Sequence, residues 1–247
     1  MRIGIVGASG RVGTRLVELV LANPGLELAA ALVSPSSRLV GLPVNGGGIE
    51  YRAPQAAMNS HCDVMIDFST PAATLALQEE IGTKPIPVII GTTGFSPEEE
   101  RRIAGFARHR PMLVSANFAH GFEAFRLAAL EFARRMPAGE PSVAETYHLR
   151  KKAEPSGTSR LLARQLYEAR TRAMGFAAPE PAIAVHREGG TVGINEVRFE
   201  MGSAQVSFTY RVHTLAAYAE GALAAAQWLV SQAPGAGLYS LSDCLTD

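Results

Sequence analysis

The spacing of apolar and polar positions changes several times along this 247-residue chain, and each change marks an element. Arg2 to Val6 is a short β-branched run, and from Arg11 to Leu21 apolar residues recur at helical spacing, which predicts strand, glycine turn and helix. A second strand is expected at Leu26 to Val33, followed by a Ser-, Gly- and Pro-rich loop from Pro35 to Gly48. Asp63 to Phe68, Pro87 to Ile90 and Met112 to Ser115 are short apolar runs separated by stretches able to form helices. Strands alternating with helices predict a parallel, doubly wound α/β sheet.

After Asn117 the pattern changes. Phe122 to Arg135 is helical, with Ala, Leu and Phe on one face, and Ser142 to His148 reads as a strand entering a turn rich in Lys and Arg. Pro155-Ser156-Gly157-Thr158 starts another helix that runs to about Met174. Alternation at Ala182 to Val185, Val192 to Glu200 and Gln205 to Val212 reads as antiparallel strands. The last helix, Leu215 to Ser231, is too apolar to stand alone and is expected to pack back on the first domain. No internal repeat or low-complexity linker interrupts the pattern.

Composition narrows the function classes. Lys plus Arg and Asp plus Glu balance at 23 each, so no global field favours nucleic acid, an anionic membrane or a polyanionic substrate. The opening MRIGIVGASG lacks the layout of a secretory signal, and no apolar run approaches the ~20 residues of a membrane span, so the chain is expected to be soluble and cytoplasmic. Cys62 and Cys244 are far apart without metal-like spacing, which indicates neither a disulfide framework nor a zinc site.

Within this frame Gly7-Ala8-Ser9-Gly10-Arg11-Val12-Gly13 follows a strand and opens a helix, the context in which a G-x-x-G-x-x-G run predicts dinucleotide binding on a Rossmann-type domain. Glycine lets the turn approach a pyrophosphate, and N–H groups at the helix start favour its negative charge. A tight turn without ligand is the plainer alternative. Cofactor choice is decided after the second strand, where Ser34, Pro35, Ser36, Ser37 and Arg38 include no acid for a ribose 2′-OH; this tilts the expectation to NADPH over NADH. Gly91, Thr92 and Thr93 form one further loop expected beside the cofactor, and Ser115, Ala116, Asn117 and Phe118 another, because ligands of open α/β sheets lie beyond the carboxyl ends of the strands. Both loops also suit a role as turn formers alone.

The densest polar cluster runs from Glu145 through Tyr147, His148, Lys151 and Lys152 to Ser156, Gly157 and Thr158. A basic turn leading into Ser-Gly-Thr at a helix start suits a small anion: N–H groups and hydroxyls bind one carboxylate while Lys151 or His148 faces another. A helix cap after a solvated charged loop explains the same residues without a ligand.

Taken together these motifs resemble the 4-hydroxy-tetrahydrodipicolinate reductases, nicotinamide-dependent enzymes of lysine and diaminopimelate synthesis. The likeness runs from the glycine turn through Ile66-Asp67-Phe68-Ser69-Thr70-Pro71, Gly91 to Phe95 and Ala116-Asn117-Phe118 to Pro155 to Thr158, Arg187 to Gly193 and Ala219 to Ala222. It implies that Phe68 joins the cofactor set and that His148, Lys151, Ser156, Gly157 and Thr158 bind a dicarboxylate substrate. The family's proton-donor His falls on Tyr147, an Asp of its signature on Ala153 with Glu154 one place later, and an Arg on Leu215. Tyr147 is then a candidate donor if Lys151 or Lys152 lowers its pKa; His148 and water are the alternatives.

The expected architecture is a dinucleotide-binding domain of residues 1–117 and 216–247, with an α+β substrate and oligomerisation domain of residues 118–215 between. The resemblance implies a homotetramer. The function expected is NAD(P)H-dependent reduction of 4-hydroxy-tetrahydrodipicolinate or a related cyclic imine or enamine dicarboxylate. A non-catalytic dinucleotide-binding paralogue, or an amino-acid or imine dehydrogenase with another substrate, are the competing readings.

Overall fold

The computed structural model describes residues 1–46, 48–54 and 61–245. Gly47, within the loop expected at 35–48, and residues 246 and 247 of the expected C-terminal segment lie outside the described residues. The chain divides into two compact units, Met1–Ala119 with Leu215–Asp247, and His120–Thr214.

In chain order the first unit begins with β1 (Arg2–Val6), α1 (Arg11–Ala22), β2 (Glu27–Leu32), β3 (Tyr51–Arg52), β4 (Val64–Asp67), α2 (Pro71–Ile81), β5 (Val88–Ile90), α3 (Pro97–Phe106) and β6 (Pro111–Val114). The second unit comprises α4 (Phe122–Arg135), β7 (Glu140–Tyr147), α5 (Gly157–Met174), β8 (Ala182–Arg187), β9 (Gly193–Met201) and β10 (Ala204–Val212). The chain then returns to the first unit with α6 (Ala216–Gln232) and β11 (Gly237–Tyr239).

The first unit is a seven-stranded sheet in the order β11-β6-β5-β4-β1-β2-β3, every pair parallel. Its strands are apolar on both faces, as a sheet covered on both sides requires. Ile3, Ile5, Ile66, Ile89 and Leu113 face a core completed by Leu16, Val20, Ala222 and Leu229 of α1 and α6. Their neighbours Val6, Leu32, Met65, Val88, Ile90 and Met112 face the opposite core with Leu75, Leu77 and Ile103 of α2 and α3. The last helix thus packs on α1 and the sheet. The order in which successive strands are added reverses between β1 and β4, the position where open α/β sheets form their ligand crevice.

The second unit is a four-stranded sheet in the order β10-β9-β7-β8 with α4 and α5 on one face. Val143, Val197 and Phe199 point into that face against Phe122, Leu130, Leu162 and Leu166. β9 pairs antiparallel with both β7 and β10, but β8 runs parallel to β7. The antiparallel reading of Ala182 to Val185 is therefore corrected: α5 carries the chain back to the end at which β7 began, and a strand reached through such a crossover enters in the same direction.

No helix is long and apolar enough to cross a membrane among the described residues, and no group of His, Cys, Asp and Glu there is arranged to hold a metal ion.

Candidate active site

Because all strands of the first unit run the same way, segments that follow their carboxyl ends share one edge of the sheet. That edge carries Gly7 to Val12 after β1, Ser34 to Arg38 after β2, Phe68 after β4, Gly91 to Thr93 after β5 and Ser115 to Phe118 after β6. The glycine turn is built by backbone bonds: the N–H groups of Gly7 and Ala8 donate to Leu32 O at 2.9 and 3.0 Å, and that of Gly10 to Gly7 O at 2.8 Å. Gly7 has φ +76, and a Cβ at Gly13 would lie 2.0 Å from Gly7 O, so α1 approaches the turn more closely than any side chain allows.

The helix starts of this unit differ in a way that matters for anions. α2 is capped by Thr70 and α3 by a capping box of Ser96 and Glu99, whereas α6, with Leu215 at its cap, and α1, with Gly10 there, have no side-chain cap bond and no acid in the first turn, and α1 starts from the glycine turn. The positive end of its dipole is left for an external anion. Ser34, Ser36 and Arg38 are exposed, and Ser34 Oγ lies 2.9 Å from Ser36 Oγ.

Further along the edge, the Phe68 ring stands against Gly91, where a Cβ would meet it at 2.2 Å, and packs edge-on against Phe118 with centroids 5.7 Å apart. Asn117 is buried: its Oδ1 accepts from Ala119 N at 3.0 Å, while its Nδ2 has no partner among the described residues. Asp67, fully buried at the end of β4, accepts at Oδ1 from Ser69 N at 2.9 Å and Thr92 Oγ1 at 3.4 Å. Its Oδ2 is likewise unpartnered among the described residues. Burial pushes the Asp67 carboxyl above its ordinary value; the bonds from Ser69, Thr74 and Thr92 offset that only in part. An uncapped helix start, a glycine cradle and orphaned buried polar atoms along one strand edge fit a dinucleotide with an amide-bearing ring.

In the second unit the polar cluster is organised around Glu145. This fully buried side chain sits between Val143 and Tyr147 on the inner face of β7. Arg187 donates to its Oε1 at 2.9 Å; Ser156 N and Ser159 Oγ donate to Oε2 at 2.9 and 2.5 Å. Burial alone would raise the Glu145 pKa, but the bonds from Ser156, Ser159 and Arg187 outweigh it and hold the group below its ordinary value. The same Arg187 guanidinium donates to the carbonyls of Lys151, Lys152 and Glu154, at 3.3, 2.6 and 2.9 Å, so the basic turn is tied to Glu145 through one side chain.

That turn closes with Lys151 N donating to His148 O at 3.0 Å. Lys151 and His148 are half-buried, whereas the Lys152 side chain is 87% exposed and 3.9 Å from Glu154. At the start of α5, Ser156 Oγ accepts from Ser159 N, and Thr158 is buried. The Ser156 and Ser159 N–H groups are engaged, and Gly157, the first residue of α5, stands at a position where the helix itself offers its N–H no acceptor. Tyr147 is buried, and its hydroxyl donates to Asn195 Oδ1 at 3.4 Å. Burial raises its pKa, more than bonds to Ser156, Asn195 and Thr158 lower it. The condition set for Tyr147 as donor, a pKa lowered by Lys151 or Lys152, is thus not met: Lys152 faces solvent, and desolvation of the phenol decides the sign.

Glu145, Arg187, Asn195 and Asp67 had no site role in the sequence reading. Glu145 was detectable as an acid at an inward-facing position of an alternating strand.

A doubly wound parallel sheet with a glycine-turn anion cradle at its switch point, joined to a mixed-sheet unit, defines a nicotinamide-dinucleotide oxidoreductase. Comparison with known proteins makes this specific. Residues 1–118 match the model of the dihydrodipicolinate reductase N-terminus, and residues 121–245 that of its C-terminus. The chain belongs to the dihydrodipicolinate reductase family. It is 32% identical to a 4-hydroxy-tetrahydrodipicolinate reductase of Thermomicrobium roseum, with 100% of both chains covered. To one of Thiobacillus denitrificans it is 33% identical, over 99% of this chain and 98% of the relative. The dipicolinate-bound dihydrodipicolinate reductase of Paenisporosarcina shares its fold, with a TM-score of 0.75 at 19% identity over 97% of each chain.

The buried Asp67 generates a pH-dependent prediction. A carboxyl whose pKa is higher folded than unfolded stabilises the fold fully below the unfolded value of 3.8 and loses that contribution as pH rises through the folded value. Asn cannot ionise, so the melting temperature of Asp67→Asn minus that of wild type is expected to increase across this window. Thermal unfolding at a series of pH values checks it; a difference that stays flat means Asp67 is not held in its neutral form.

Proposed function

We propose that the chain uses NADPH to reduce 4-hydroxy-tetrahydrodipicolinate, with the first unit holding the cofactor and the turn of residues 147–158 holding the dicarboxylate. The observation that carries this reading is the tie of Glu145 and Arg187 to the turn, which sets Lys151 and the Gly157 N–H on one rigid anion-binding segment. The names of the full-length relatives support the same substrate.

Bound NADPH supplies the hydride. Gly7, Ala8, Ser9, Gly10, Arg11 and Val12 would hold its pyrophosphate, with Ser34 and Arg38 at the ribose phosphate. Phe68, Gly91, Thr92, Thr93, Ser115, Ala116, Asn117 and Phe118 would line the nicotinamide end. Lys151, as a point charge, binds a substrate carboxylate; Gly157 N–H and the hydroxyls of Ser156 and Thr158 orient it. Of the proton donors considered, His148 is favoured over Tyr147, since the phenol is buried against Asn195.

Steady-state oxidation of reduced cofactor with enzymatically generated substrate tests the assignment. Turnover is expected in wild type. Lys151→Ala should raise KM and lower kcat, at a combined cost of about 2–5 kcal/mol. Lys152→Ala should change little, because its side chain is solvated. Cofactor binding without turnover would favour a non-catalytic paralogue or another substrate.

The cofactor preference rests on the exposed Ser34–Arg38 segment, which has no carboxylate. NADPH is expected to bind more tightly than NADH, and Arg38→Ala to narrow the gap; equal affinities in wild type by fluorescence titration would contradict it.

The reading includes a homotetramer built through the second unit. Both of that unit's helices cover one face of its sheet, and Ser142, Ala144, Thr146, Ala184, Ile194 and Arg198 line an open cavity of about 260 Å³ on the other. Light scattering is expected to give four chains per particle, and Ile194→Glu to lower that number; a wild-type monomer would refute it.

A further inference from the structure

Tyr147 ends β7 on the inner face of its sheet, and its two ends have different neighbours. The hydroxyl is turned into the interior, with Asn195 Oδ1 as acceptor at 3.4 Å. The ring face meets the turn: Lys151 Nζ lies 3.9 Å from the ring centroid, well inside the range of about 6 Å over which an aromatic quadrupole attracts a cation. Arg187 Cζ is farther from the same ring, at 5.9 Å, and its charge is already directed at Glu145.

Where the Lys151 stem leaves the backbone is also fixed. Lys151 N donates to His148 O at 3.0 Å, and Arg187 holds the carbonyls of Lys151 and Lys152. A four-carbon stem leaving a fixed point still has many rotamers, and an aromatic face at its end selects among them. The face attracts the ammonium without neutralising it, as a carboxylate in the same place would.

We propose that Tyr147 is a positioning residue whose ring face seats the Lys151 ammonium for the substrate carboxylate, and whose hydroxyl takes no part in the reaction. This rests on the reading of Lys151 as the carboxylate-binding group. It assigns to the aromatic face a role that sequence comparison alone would give to the phenol.

The test separates face from hydroxyl. Tyr147→Phe keeps the face and Tyr147→Leu removes it. kcat/KM of the Phe variant is expected to exceed that of the Leu variant by about threefold to thirtyfold, with the Leu loss falling mainly on KM. Equal losses in both variants, carried by kcat, would overturn the proposal in favour of the hydroxyl. A second measurement depends neither on the substrate nor on the Leu variant folding. In the NMR spectrum of the protein, the Lys151 Cε protons should be shifted upfield by the ring current in wild type and in Tyr147→Phe. Ordinary lysine shifts in wild type would refute the seat even if the enzyme turns over. Absence of turnover with the upfield shift present would refute the substrate assignment and leave the seat standing.

Discussion

A carboxylate with no solvent exposure has to be answered by donors, and in the second unit the answer to Glu145 determines the surrounding structure. Its two oxygens take a guanidinium, a backbone N–H and a hydroxyl, from β8, from the entry to α5 and from its first turn. Removing one partner of such a buried pair typically costs about 3–5 kcal/mol, because the remaining charge stays desolvated. Arg187, once drawn in, still has donors to place, and it places them on the carbonyls of residues 151, 152 and 154. The basic turn is therefore an ordered segment fastened to the sheet. Lys151 inherits that order through its carbonyl, which accepts from Arg187.

The first unit reaches comparable order with backbone instead of charge. Gly13 permits α1 to press on the Gly7 carbonyl, and the parallel sheet delivers five loops to a single edge. Asp67 is the exception, a carboxyl buried with one oxygen bonded and, among the described residues, no cation paired with it. Desolvation wins there where it loses at Glu145. Similar burial with different donors gives two acids of opposite tendency, one kept ionised and one pushed toward the neutral form.

This contrast bears on how much could be read in the sequence. The glycine turn, the alternation of strand and helix and the return of the last helix were legible because each depends on local spacing. β3 and β11 were not: Tyr51–Arg52 is too short to carry a period, and Gly237–Tyr239 has no unbroken apolar run such as marks β5, which is equally short. The direction of β8 was missed because it depends on which strand lies beside it. The Glu145–Arg187 pair joins residues 42 apart, and nothing local links them. Glu145 nonetheless breaks the apolar series of Val143 and Tyr147 and so marks itself as a charge that needs a partner. Tyr147 was legible as a departure from the family pattern, but which of its surfaces faced the turn was a property of the fold.

The charges around the turn sort themselves by what they are spent on. Arg187 is cancelled by Glu145 in the interior, and Lys152 and Arg160 stand 3.9 and 3.6 Å from Glu154 on the solvated side, where pairs are worth little. Neither set is suited to recruit an anion, the first because it is committed and the second because it is screened. Lys151 lies between these layers, half-buried, with an aromatic face beneath its ammonium. A quadrupole holds a cation in place yet leaves its charge to act outward. A buried phenol at the place of an acid–base side chain therefore need not empty this segment of use, because its ring still holds a cation beside it, the one to which carboxylate binding is assigned above.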